Sequence, residues 1–164
     1  MLDRKRLAVL ATFVFMASAI ASAAPARVSL KFFEGNTYSE GTLKIMLGKP
    51  KRMRSVGHGR IEPDGSLTLV QQVEEPGKPL RERRWRIREV APGRFSGTMS
   101  EASGQVLIEE VSNRFRLRFK MKGGLDVEQW LTPDARGESA RSDLTVRKFG
   151  MIVATGKAIV TKQP

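Results

Sequence analysis

The sequence predicts an all-β domain, an antiparallel up-and-down meander of about ten strands closed into a calycin-like barrel, on three observations. Apolar residues recur with a period of two rather than 3.6. Turn-forming residues interrupt these runs at short spacing. No segment after residue 24 carries the apolar stripe of an amphipathic helix.

Taken in order, the alternation starts at Val28-Leu30-Phe32, read as a first strand, and returns at Leu67-Leu69, Phe95 to Met99 and Val106-Ile108. It is clearest in Arg114-Phe115-Arg116-Leu117-Arg118-Phe119-Lys120-Met121-Lys122, where four apolar residues alternate with five cations, so that one face is dry and the other wet. Leu125-Val127 and Leu144-Val146 continue the pattern. Between the runs lie Pro63-Asp64-Gly65, Glu75-Pro76-Gly77, Ala91-Pro92-Gly93, Ser112-Asn113, Gly123-Gly124 and the stretch from Pro133 to Gly137. Strands joined by such short turns are antiparallel neighbours, because a parallel crossover needs a dozen residues or more. A two-layer sandwich is the competing architecture. The barrel is preferred because no long Greek-key connection is evident and closure removes the exposed edges.

Composition narrows the chemistry. The 164 residues contain 29 Lys+Arg against 17 Asp+Glu, a net charge of +12, with one histidine and no cysteine. Disulfides, thiolate-ligated metals, a thiol nucleophile and a lipid-bearing N-terminal cysteine are therefore excluded. One histidine cannot build a multi-His metal site, and no cofactor is expected. His58 in Gly57-His58-Gly59 reads as an exposed residue rather than a general base, as no Gly-x-Ser-x-Gly elbow accompanies it. Glu74-Glu75 and Glu109-Glu110 are sequence neighbours that point to opposite strand faces, unlike the facing carboxylates of glycoside hydrolysis.

Residues 1–23 have the anatomy of a secretory signal peptide. Arg4-Lys5-Arg6 precedes an uncharged run from Leu7 to Ile20, and Ala21-Ser22-Ala23 supplies small residues before a cut at Ala24. The remaining 24–164 read as one domain, secreted or periplasmic. Cleavage removes those three cations together with Asp3 and lowers the net charge from +12 to +10. A chain this basic outside the cytoplasm meets anionic lipid surfaces rather than a physiological nucleic acid.

In order, Phe32-Phe33-Glu34-Gly35, Gly41, Arg83-Arg84-Trp85-Arg86-Ile87, Gly93-Arg94-Phe95-Ser96-Gly97, Trp130 and Lys148-Phe149-Gly150 resemble an uncharacterised family of bacterial envelope proteins. Many of its members are lipoproteins, and the resemblance implies a lipocalin-like β-barrel without an assigned activity. The chain departs from the family pattern at Glu128-Gln129, where an acidic pair is usual, and at Ser142-Asp143, where Asn-Arg is usual.

The candidate ligand-binding residues are Arg83, Trp85, Glu128, Trp130 and Lys148. Arg83 shares strand parity with Trp85 and Ile87, so an inward Trp85 brings a guanidinium inward that needs a partner. Glu128 is one possible carboxylate, although parity groups it with Asp126 and Trp130 on the face opposite Val127. Arg114, Arg116, Arg118, Lys120 and Lys122 form a second candidate set, a cationic strand face for an anionic membrane surface. Lys49, Lys51, Arg52, Arg54 and Arg60 add charge elsewhere. These features point to an exported barrel that binds a small amphiphile or lipid. The alternatives are a structural or interaction protein with a filled barrel and, less favoured, an isomerase- or hydratase-type enzyme using Arg, Asp and Glu.

Overall fold

The computed structural model describes residues 29–164, so the signal-peptide segment lies outside the described residues. Ten strands follow one another: β1 (Gly35–Ile45), β2 (Lys51–Ile61), β3 (Leu67–Glu74), β4 (Arg81–Ala91), β5 (Arg94–Met99), β6 (Val106–Val111), β7 (Arg114–Met121), β8 (Leu125–Pro133), β9 (Ser139–Lys148) and β10 (Met151–Gln163). Each pairs antiparallel with its sequence neighbours, and β1 pairs with β10 from Asn36–Gln163 to Ile45–Ala154, which closes the barrel. The up-and-down barrel expected from the alternation is therefore the observed fold.

Local chemistry explains the hairpins. Ser112-Asn113, Gly123-Gly124 and Phe149-Gly150 all have positive φ at both residues. That is the mirror-image turn whose twist matches two antiparallel strands. Asp64 Oδ1 accepts from Ser66 N–H at 2.9 Å and from its hydroxyl at 2.6 Å, fixing the β2–β3 turn. Both contacts hold the exposed Asp64 carboxyl below the usual carboxylate range.

One expected strand is not a strand. Leu30–Phe33 forms a 3-10 turn capped by Ser29, whose Oγ accepts from Lys31 N–H at 3.1 Å. The reason is topological: β1 already pairs with β2 on one side and β10 on the other, so no sheet edge is left for an extended segment to join. The turn instead packs across β2 and β3 and buries Leu30 and Phe32. It needs Gly59, since a Cβ there would lie 1.8 Å from the Phe33 carbonyl oxygen.

The core is densest at this floor. Leu30, Leu67, Ile87, Phe95, Phe115 and Leu131 are all buried, with Phe95 and Phe115 edge to face at 5.8 Å. Towards the other end, the inward residues Leu43, Met53, Met121 and Val146 are only half-buried. The barrel is thus plugged at the 3-10 turn and open at the opposite mouth.

Candidate functional site

A cavity of about 230 Å³ occupies the barrel interior. One water needs only about 10–15 Å³ of such space, so this is a chamber rather than a packing defect. Its hollowness comes from unequal walls. On one side β1, β2 and β10 turn Ser39, Gly41, Ser55, Gly156 and Ala158 inward. On the other, Trp85, Met99, Phe115, Leu117, Phe119 and Leu131 project from β4, β5, β7 and β8. Small side chains facing large ones leave the axis empty.

Polar groups inside are few and mostly tied to one another. Trp85 Nε1 donates to Gln71 Oε1 at 2.8 Å, and Gln129 Nε2 donates to Ser142 Oγ at 2.8 Å. The Trp85 indole also meets Phe119 edge to face at 5.9 Å. Arg83 is the candidate cation of the chamber and lies towards its mouth. Its Nε donates to Glu101 Oε2 at 2.8 Å, with Nη2 at 2.6 Å, so Nη1 takes no part in the contact. Arg81 Nη1 reaches the other Glu101 oxygen at 2.7 Å and its Nη2 lies 3.6 Å from buried Glu75, which also meets Lys78 at 2.7 Å. Three cations thus face two carboxylates, leaving one positive charge in this cluster at the chamber mouth. The carboxylate that Arg83 requires is Glu101, which comes from the β5–β6 loop and carries no periodic signal in sequence.

Arg83 and Trp85 are therefore placed together on the chamber wall as expected, while three other candidates lie elsewhere. Glu128 and Trp130 stand on the outer face of β8. Its pairing with β7 is regular from Leu131 to Leu125, with no bulge to invert the alternation that turns Val127 inward. Glu128 accepts from Arg116 Nη2 at 2.6 Å and Nε at 2.9 Å, and Arg114 stacks over Trp130 at 4.4 Å. Lys148 sits at the rim, its Nζ 5.7 Å from the Phe149 ring centroid.

The cationic face of β7 is also less bare than its sequence implies. Arg116 pairs with Glu128, Arg118 with Glu109 at 3.2 Å and Lys120 with Asp126 at 2.9 Å, all across neighbouring strands. Arg114 donates to Thr132 Oγ1 at 3.0 Å, and only Lys122, in the β7–β8 turn, lacks such a contact among the described residues. His58 is exposed on β2, with Nδ1 2.9 Å from Asn36 Oδ1.

The Arg116 hydrogen bonds, supported by its charge, hold the Glu128 carboxyl below the usual range against the opposing effect of desolvation. A depressed folded pKa adds stability above the unfolded value, and that stability is lost as pH falls through the folded one. Glu128→Gln should therefore lower stability at pH 7 by about 0.5–1 kcal/mol, a modest figure because the pair is partly exposed. In urea titrations the deficit should shrink as pH falls below the ordinary glutamate range and vanish in stronger acid, once the wild-type carboxylate is protonated. A deficit that persists in acid would show that the charge is not its cause.

No family model and no curated protein matches the chain. Among solved structures, the S-type phycobiliprotein lyase CPES from Guillardia theta superposes with a TM-score of 0.65 at 6% identity, over 82% of this chain and 90% of that one. Rv2717c from M. tuberculosis superposes at 0.60 with 16% identity, over 82% and 95%. At these identities the likeness is one of fold: a closed, calycin-like barrel.

Proposed function

We propose that this protein is a binding barrel for one small amphiphile, whose apolar part lies in the chamber and whose anionic head meets Arg83 at the mouth. The observation that carries the reading is a hollow, apolar-walled chamber with Arg83 at its open end, in a side-chain cluster that holds one more cation than carboxylate. From Arg83 to Ile87 the chamber wall runs about 13 Å along β4, room for an extended apolar tail. Apolar burial supplies affinity and a single charge-assisted hydrogen bond fixes orientation. The signal-like N-terminus supports a place of action outside the cytoplasm, after cleavage near Ala23.

The test is direct. Native mass spectrometry of the chain as recovered from the expressing cell should show a bound amphiphile and an N-terminus at Ala24. After delipidation, a long-chain polyene fatty acid should bind one per chain and quench Trp85, read in a Trp130→Phe background. Arg83→Gln should weaken binding about tenfold, and Glu101 keeps Arg81 as a partner in that variant. Ser39→Leu with Ser55→Leu fills the empty side of the chamber and should abolish binding. Bare protein in the spectrometer and no saturable quench would remove the proposal.

A further inference from the structure

The two ends of the barrel differ in kind. At the mouth, the β1–β2 hairpin exposes Ile45, Met46 and Leu47, and the β9–β10 hairpin exposes Phe149, Met151 and Ile152. The hairpins are neighbours, joined by Met46 N–H donating to the Val153 carbonyl at 2.8 Å, so the six side chains belong to one region of the rim. Leu80, 65% exposed, leads into β4 at the same end. The mouth acids Glu75 and Glu101, in the β3–β4 and β5–β6 loops, are taken up by Lys78, Arg81 and Arg83, whereas the floor turns carry Glu62, Asp64, Asp134 and Glu138.

Two apices make the pattern hard to explain as ordinary surface. Leu47, 99% exposed, has φ of 63°, and Phe149, 84% exposed, has φ of 51°. Turn positions in the left-handed region favour Gly, Asn or Asp, which suit both the backbone and water. Here both hold a large apolar side chain that gains nothing from water. Around them stand Lys44, Lys49, Lys51, Arg147 and Lys148, and segments 44–52 and 146–153 contain no acidic residue. Lys49 and Lys51 have no ion pair among the described residues, in contrast to the matched cations of β7.

From this juxtaposition we infer that the mouth of the barrel docks on an anionic lipid bilayer. The apices at Leu47 and Phe149 enter the headgroup–acyl boundary, and the surrounding lysines meet lipid phosphates. A second copy seated mouth to mouth would oppose the same lysines, so charge favours lipid over self-association. Docking turns the open chamber towards the membrane, yet it does not depend on the chamber holding a ligand. The Ser39→Leu/Ser55→Leu chain should dock normally, which separates a failure of this inference from a failure of the binding reading.

The experiment is co-sedimentation of the delipidated chain with extruded vesicles, either equimolar phosphatidylglycerol and phosphatidylcholine or phosphatidylcholine alone. Binding should be strong on the anionic vesicles, weak on the neutral ones and reduced by added salt. Leu47→Asn with Phe149→Asn should weaken binding at least about tenfold with no loss of thermal stability, because asparagine suits the left-handed backbone. Lys49→Gln with Lys51→Gln should weaken it about 25-fold on anionic vesicles only, near fivefold for each cation. Arg116→Gln with Arg118→Gln on the barrel side should leave it unchanged. The inference is overturned if the apical pair binds like wild type, if the side-wall pair loses as much as the lysine pair, or if sedimentation velocity shows a dimer that the apical pair abolishes.

Discussion

Gly41→Val should cost the domain about 4 kcal/mol and separate β1 from β10, the pair that closes the barrel. Gly41 lies opposite Ala158 in β10 and Met53 in β2. A Cβ at this position would fall 2.0 Å from the Lys157 carbonyl oxygen and 2.5 Å from the Ala158 Cβ. Neither atom is the end of a flexible side chain, so relief requires the strands themselves to part. A domain of this kind has about 5–15 kcal/mol in total, and the loss should be visible as a large fall in the urea midpoint. Amide exchange should accelerate first along β1 and β10. Gly156→Ala is the contrast: its Cβ would meet its nearest neighbours at 3.4 Å, and the change should stay within about 1 kcal/mol. A midpoint for Gly41→Val close to wild type would mean that the seam is not closed in solution.

Leu67→Ala should destabilise by about 3 kcal/mol and lower the melting temperature by about 10 °C. Leu67 is fully buried at the floor, where it lies opposite Ile61 and Ile87 and lines the chamber. Truncation removes three carbons from a site already braced by the 3-10 turn and two strands, so collapse is limited and most of the cavity remains. The same change deepens the chamber. The proposed amphiphile binding should therefore shift towards longer tails, measured as relative affinities in the Trp85 quenching assay. Destabilisation without any change in tail preference would place the ligand away from the floor.

The fold was legible because an amphipathic strand announces itself locally. The cation–apolar alternation of β7 assigns each side chain to a face from sequence alone, and the turn pairs Ser112-Asn113 and Gly123-Gly124 mark where the chain reverses. The same parity argument correctly placed Arg83 beside Trp85 on the chamber wall. It failed at Leu30 and Phe32, because a short alternating run does not say whether a free edge exists to receive it. Closure of β1 on β10 removes that edge.

What the sequence by itself determined is therefore the antiparallel β character and the faces of the clearly alternating strands, such as β4, β7 and β8. Only the tertiary structure decided that Glu101 rather than Glu128 answers Arg83 and that β7 is charge-matched by its neighbours. It likewise gathered Leu47 and Phe149, a hundred residues apart, onto one rim. The physical reason is range. Alternation and turn chemistry act between residues a few positions apart, whereas partners across a barrel, the void between a small-residue wall and a large-residue wall, and the grouping of loops at one end depend on register and closure.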